Sequence, residues 1–550
     1  MRRINLFLAT LLIAAGAFAQ DDKLDAIIEV ENEYNPIETK ATKQSFTPKI
    51  AIAKESAPLG LVFSQKATPF TQFVGERNAK DAMPQKESYY PGYARLGYGN
   101  YNNIDAKVGY RLIAGKRDYL NAVASFDGFK GNLNGIYEKW NSRMFDTRIK
   151  AEYIHRFNKF EVGATAGVTN RAFNYQKNSS AAAAGSDKQQ SNRYNVLLNA
   201  KSNFTGPFSF DTRVGYNLNT RRYIDGVQNM IMEHNITGDG TLTHEIIWKQ
   251  LYNAGLTFDI DGFLYNKGLL GNGSNYRNYV SIRLNPFTNF IFGKWKMRAG
   301  LHFDMHTTHR GFFAVAPDWS INGFINNIVN IYGSVTGGRT ANTFGTLEEL
   351  SPYWDYTPAL SSRIVPTYRI VDVKAGARFN VEPFTVNLYT GYAFTKDDIL
   401  AKEGNDNAGN HTITEFGQFN TNNIHIGTRL AYDYAGWFNI YADARYDFWS
   451  SNANRSWLKY KPEITIDACA EARLFKDFYA NVSYIFVSYA KGDAGRIPFM
   501  NNLSAKISYD FLERFSVYVQ GNNLINSKYF LFPGYYAQGV NIIGGASINF

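Results

Sequence analysis

Period-two alternation, repeated in many short segments, constrains this 550-residue chain more than any other feature. From Ile464 to Arg473, Ile464, Ile466, Ala468, Ala470 and Ala472 share one side, and Thr465, Asp467, Cys469, Glu471 and Arg473 share the other. Between Trp437 and Asp447 the apolar side holds Phe438, Ile440, Ala442, Ala444 and Tyr446, against Asn439, Tyr441, Asp443, Arg445 and Asp447. Residues 371–379 repeat the pattern, with Val371, Val373, Ala375, Ala377 and Phe379 against Asp372, Lys374, Gly376 and Arg378. Successive side chains of a strand point to opposite faces, so each segment predicts a strand with one apolar face.

A soluble sandwich also alternates, but the connections separate the two folds. One set is very short: Gly115-Lys116-Arg117, Asn158, Thr205-Gly206, Ala435, Lys476 and Glu513. The other is long and polar: residues 173–192, 223–238, 264–274, 337–366, 397–416 and 523–537. The two kinds take turns along nearly the whole chain. Outer-membrane barrels have short periplasmic turns and long extracellular loops, whereas a sandwich has no reason to alternate them. The predicted fold class is therefore all-β: a transmembrane antiparallel β-barrel over residues 91–550. It has roughly 22 strands, within a range of about 16 to 22. The count is softest between Gly240 and Trp295, where Thr241 to Leu251 does not alternate.

The rest of the chain agrees with export to a membrane. Arg2 and Arg3, the apolar run Ile4 to Gly16 and the small-x-small site Ala17-Phe18-Ala19 predict a signal peptide at residues 1–19. No later apolar stretch approaches the length of a transmembrane helix. Aromatic residues make up 16% of the chain, as a lipid-facing barrel with aromatic girdles requires. With one cysteine, Cys469, an intramolecular disulfide is impossible, and strand closure must supply the stability instead. The formal charge of +10 fits basic side chains near anionic lipid or along a pore wall; in an exported chain it does not point to nucleic acid.

The last forty residues narrow the fold further. Asn523-Leu524-Ile525-Asn526-Ser527-Lys528-Tyr529 is followed by Pro533-Gly534-Tyr535-Tyr536-Ala537-Gln538-Gly539 and a final strand from Val540 to Phe550. This order resembles the end of TonB-dependent receptors, with their Asn-Leu-x-Asn-x-x-Tyr element and a Gly-Tyr element before the closing strand. The resemblance implies that Phe550, with Ile548 and Ala546 in step, forms the signal read by the barrel-assembly machinery. It also implies a barrel that passes or binds a solute across the outer membrane of a Gram-negative bacterium, with no cofactor. One departure stands out: receptors of this class carry an N-terminal plug, and residues 20–90 are too few and too rich in proline for a domain of roughly 100 residues. That segment is expected to be extended, either lying in the lumen as a partial occlusion or recruiting a membrane or periplasmic partner. Ala26-Ile27-Ile28-Glu29-Val30 is its candidate for contact with TonB. The alternative function is a non-transporting scaffold subunit of an outer-membrane complex.

Candidate chemistry is sparse. His302, Asp304 and His306 share one side of Lys296–His306, with Leu301, Phe303 and Met305 on the other and His309 just beyond. Residues i and i+2 on a strand lie about 7 Å apart, so one pair can share an ion and all three cannot. The charged set Asp146, Arg148, Lys150 and Glu152, with Asp443, Arg445, Asp447, Asp467, Glu471 and Arg473, is expected to face the lumen. Its mixed signs fit a solvated wall better than a selective ring. No Gly-x-Ser-x-Gly elbow, Gly-Lys-Ser/Thr loop or Cys-x-x-Cys pair is present, so the chain is not expected to be an enzyme.

Overall fold

A computed structural model describes residues 90–550, apart from residues 137, 179–186, 203–206, 223–229, 249, 267–276, 308–311, 355–363, 407–408, 435–436, 476 and 494. The expected signal peptide, nearly all of the 20–90 segment and His309 lie outside the described residues. Twenty-two antiparallel strands form one closed sheet. The first, β1 (Gly92–Gly99), pairs on one side with β2 (Ile104–Ala114) and on the other with the last, β24 (Asn541–Asn549). The strands between pair with their neighbours in sequence. The exception is a separate hairpin of β22 (Phe530–Phe532) and β23 (Tyr535–Tyr536), inserted between β21 (Phe515–Asn522) and β24. Closure leaves no edge strand, so every interior ladder is satisfied from both sides.

The seam explains the C-terminal phenylalanine. Gly92 donates its N–H to the Phe550 carbonyl at 2.8 Å and accepts the Phe550 N–H at 2.9 Å. The Phe550 ring stacks on Tyr110, with centroids 6.1 Å apart. A Cβ on residue 92 would lie 2.6 Å from Cε2 of that ring, so a larger residue there would have to displace the Phe550 side chain. Ile548 and Ala546 sit opposite Ala94 and Leu96 in the same ladder.

Short turns gather at one end of the barrel, which also holds both termini of the sheet, and long connections at the other. Two expected loops are shorter than their polar sequence implied. β15 (Phe384–Asn405) and β16 (Thr412–Tyr434) run for 22 and 23 residues, so most of 397–416 is strand and only 406–411 connects. A tilted strand needs ~10 residues to span a bilayer, so this pair projects well beyond it, and strand above the membrane has no need of an apolar face. Likewise β8 (Met230–Trp248) begins inside the expected 223–238 loop. Pairing of β8 with β9 (Leu251–Tyr265) shifts register between Glu245 and Trp248, and this irregularity interrupts the alternation around 241–251.

The outer wall is apolar. Ile149, Val196, Leu198, Val214, Ile260, Ile424, Ile426, Leu430, Phe448 and Val519 are all exposed. A band of this extent suits lipid and not water. Buried apolar residues instead collect at the long-loop end, where three clusters pack around Trp354, Tyr353 and Tyr529. Toward the short-turn end the charged side chains of the inner wall stay solvated: Arg213 and Arg429 are 53% and 48% exposed. Among the described residues, that half of the lumen is therefore open.

Candidate functional site

The connection between β13 (Val329–Thr340) and β14 (Thr367–Val381) does not project outward. It turns into the lumen as a short helix, α1 (Phe344–Leu350). Thr343 caps it, its Oγ1 accepting the Thr346 N–H at 2.9 Å. Phe344, Leu347 and Leu350 recur at helical spacing and meet Ile231, Phe263, Tyr265, Tyr279 and Ile399 from the wall, with Trp354 completing the cluster. Fully buried Glu233 of β8 accepts the Phe344 N–H at 2.9 Å, the Asn219 amide at 3.0 Å and the Tyr265 hydroxyl at 3.1 Å.

Three wall arginines fasten the helix from neighbouring strands. From β5 (Phe160–Asn174), Arg171 donates to the Glu348 carbonyl at 3.2 Å and pairs with Asp146 at 2.7 Å. From β6 (Lys188–Ser202), Arg193 donates to the Gly345 carbonyl at 2.7 Å and pairs with Glu349 at 2.8 Å. From β7 (Phe208–Arg222), Arg221 pairs with Glu348 at 3.0 Å, donates to the Pro352 carbonyl at 2.8 Å and also bonds the Tyr175 hydroxyl. Arg221 is only 4% exposed, and its guanidinium lies 5.0 Å from the Trp354 ring. Paired charge in so enclosed a place makes Arg221 the strongest single tether.

The last long connection, 523–540, folds inward beside it. The Asn-Leu-x-Asn-x-x-Tyr element has a physical role here. Asn523 and Asn526 adopt left-handed backbone, with φ of 49° and 57°, which asparagine tolerates better than most residues. The Asn523 amide donates to the Ser527 and Gln538 carbonyls at 2.9 and 2.8 Å and accepts the Ser527 N–H at 3.0 Å. Tyr529 is then fully buried among Ile485, Val487, Tyr489 and Met500. Pro533-Gly534 turns the β22–β23 hairpin, with Gly534 at φ 82° and no room for a Cβ, since Thr412 Cγ2 would lie 2.7 Å away. The turn delivers Tyr535 onto Tyr353, their rings stacked 3.5 Å apart. Burial pushes both phenols up, so both stay neutral and the stack carries no charge.

Two of the cavities that border this inward-folded cap have distinct linings. One, of about 340 Å³, lies between α1 and the arginines of the wall, including Arg148, Arg171, Arg193 and Arg221. The other, of about 260 Å³, lies between the hairpin and strands β2, β21, β24, β3 (Asp118–Leu133) and β4 (Trp140–Arg156).

Of the polar residues singled out in the sequence, Asp146 lines the smaller cavity and Arg148 the larger, and the rest sit elsewhere. His302, Asp304 and His306 are buried on one face of β11 (Trp295–His306), but Asp304 is committed to Arg283 at 2.8 Å and to the Arg339 N–H at 3.3 Å. His302 approaches only the Asn285 amide, at 3.5 Å. Among the described residues, no three of the types His, Cys, Asp and Glu come together as a metal site. Asp443 accepts the Tyr389 hydroxyl at 2.9 Å, Arg445 pairs with Asp447 at 2.5 Å, and Arg473 lies 5.8 Å from the Tyr479 ring. Asp467 faces Asp443 across β17 (Phe438–Ser451) and β18 (Pro462–Phe475), and Glu471 faces Asn439. None of these lines either cavity.

No protein-family model and no curated protein sequence matches the chain. Solved structures do match it. It aligns with the siderophore receptor PirA from Acinetobacter baumannii at a TM-score of 0.62, with 12% identity over 84% of this chain and 80% of that one. The FrpB iron transporter from Neisseria meningitidis also aligns at 0.62, with 10% identity over 86% and 83%. A ferric enterobactin receptor (PfeA) mutant from Pseudomonas aeruginosa gives 0.62, with 8% identity over 84% and 80%. The chain has the barrel fold of TonB-dependent receptors. At such identities the likeness extends to the fold alone; the arginine tethers and the two cavities are properties of this sequence.

Proposed function

We propose that this barrel sits in the outer membrane of a Gram-negative cell, binds a solute at its long-loop end and passes it through the lumen, with residues 341–354, which carry α1, as an internal gate. The observation that carries this reading is the attachment of α1 inside the lumen by Arg171, Arg193 and Arg221. A scaffold has no need to bring a loop into its own lumen, whereas a transporter must close its mouth when empty. The solved neighbours named for iron and siderophores support uptake as the general role without naming a solute for this chain.

Conductance in planar bilayers tests the proposal. The wild-type chain is expected to conduct weakly, and Arg221→Ala or removal of residues 344–354 to raise conductance severalfold. A wild-type barrel that is already widely open, and unchanged by either alteration, defeats the gate. If all three are silent, and stay silent when residues 21–85 are removed as well, the scaffold alternative gains and transport fails.

A further inference from the structure

The cavity beside the β22–β23 hairpin has a lining of unusual composition. Among the described residues, no Lys, Arg, His or Cys borders it. Five amide side chains do: Asn103, Gln520, Asn522, Gln538 and Asn541. Half-buried rings of Phe129, Trp140, Phe532 and Tyr536 complete it, backed by the Tyr353–Tyr535 stack. Three carboxylates also reach it, but each is paired with an arginine from outside the lining: Asp105 with Arg95 at 3.0 Å, Asp127 with Arg148 at 3.1 Å and Asp146 with Arg171 at 2.7 Å.

Each feature removes a class of ligand. Without a cationic side chain the cavity offers nothing to a phosphate or an anionic metal chelate. With its carboxylates paired it has little attraction for a cation, and without His or Cys it is no cage for a soft metal. What remains is a neutral ligand with both apolar faces and many hydroxyl groups. Amides carry donors and acceptors together, as hydroxyl groups do, and aromatic rings accept the C–H faces of a sugar ring. The lining also keeps both donor and acceptor atoms without partners. Trp140 Nε1 has no hydrogen-bond partner, and Asn541 spends its amide N–H on Gln538 at 2.7 Å while its Oδ1 has none. We infer that this cavity is a subsite for one ring, or the end, of a neutral oligosaccharide. Its volume, a little below the ~300 Å³ of small ligand pockets, suits a single ring and not a whole chain.

The inference rests on the solute-binding reading and adds the solute's chemical class. It also touches the gate, because Tyr353 belongs to residues 341–354 and lines the same cavity. The test uses the full chain purified in detergent, titrated with malto-, cello- and manno-oligosaccharides and with a ferric tris-catecholate. Tryptophan fluorescence and calorimetry follow binding. At least one neutral oligosaccharide is expected to bind, with affinity falling about tenfold in Asn541→Ala and further in Trp140→Ala. Heat-modifiable gel mobility shows that each variant still forms the barrel, and Gln520→Ala replaces Trp140→Ala if the latter does not fold. Absence of binding by every neutral sugar at millimolar concentration overturns the inference, as does binding that ignores all the substitutions or binding of the ferric catecholate alone. A barrel that conducts when its gate is released yet binds no sugar loses only this inference. One that binds sugar and never conducts loses the transport reading instead.

Discussion

Ile466 and Asp467 are adjacent in the chain and meet different solvents. Ile466 stands opposite Ala444 in the β17–β18 ladder, and Asp467 opposite Asp443. Arginine at Ile466 or Ala444 is expected to cost about 2–4 kcal/mol if these positions lie near the bilayer midplane. Arginine at Asp467 faces a carboxylate across the strands and water in the lumen, so its cost should stay below about 1 kcal/mol. Urea titration of folding into lipid vesicles measures both; equal losses would mean that the inward and outward faces are wrongly assigned. Alternation of this kind is legible because a strand forces a binary choice at each position. The roles of Asn523, Asn526 and Gly534 were legible only as a resemblance, since what they do is set by left-handed backbone and by partners fifteen residues or more distant, such as Gln538 and Thr412.

At the scale of elements, strands were easier to recognise than what happens between them. The polar stretches 337–366 and 397–416 look alike in composition, yet one folds into the lumen as α1 and the other continues as paired strands. A signal for α1 was present: Thr343 at a cap position, followed by Phe344, Leu347 and Leu350 at helical spacing. Its arginine partners come from β5, β6 and β7, and only tertiary register brings them together. The extended top of β15 has a similar hidden fastening. Lys461, fully buried, pairs with Asp398 at 3.0 Å, and Thr421 donates to the same carboxylate at 2.8 Å. Burial pushes the Lys461 ammonium down, while the Asp398 carboxylate beside it works the other way. Lys461→Met leaves that carboxylate buried without its cation and should cost about 3–5 kcal/mol. Adding Asp398→Leu should recover most of the loss. The temperature of heat-modifiable gel mobility reports both, and a double variant no better than the single one would show that the pair does not act as a unit.

For the whole molecule, a ring of 22 strands encloses more space than its wall side chains fill, so something else has to limit leakage. On the proposed gate reading, residues 341–354 and 523–540 limit it at the long-loop end, whereas the described residues leave the short-turn half open. The sequence alone leads to an expected occlusion by residues 21–90, nearly all of which lie outside the described residues. Both can hold, and barriers in series have a distinctive signature, because flow follows the tighter of the two. If the N-terminal segment also blocks the lumen, deleting residues 21–85 alone changes uptake of large antibiotics little, because the cap remains. Removing 344–354 alone also changes it little, because the segment remains, whereas removing both raises uptake far beyond the sum of the two. If instead the cap is the only barrier within this chain, removing 344–354 alone gives the full increase and deleting 21–85 adds nothing. In that case the N-terminal segment serves a partner, and co-purification in mild detergent with and without residues 21–85 identifies what it holds.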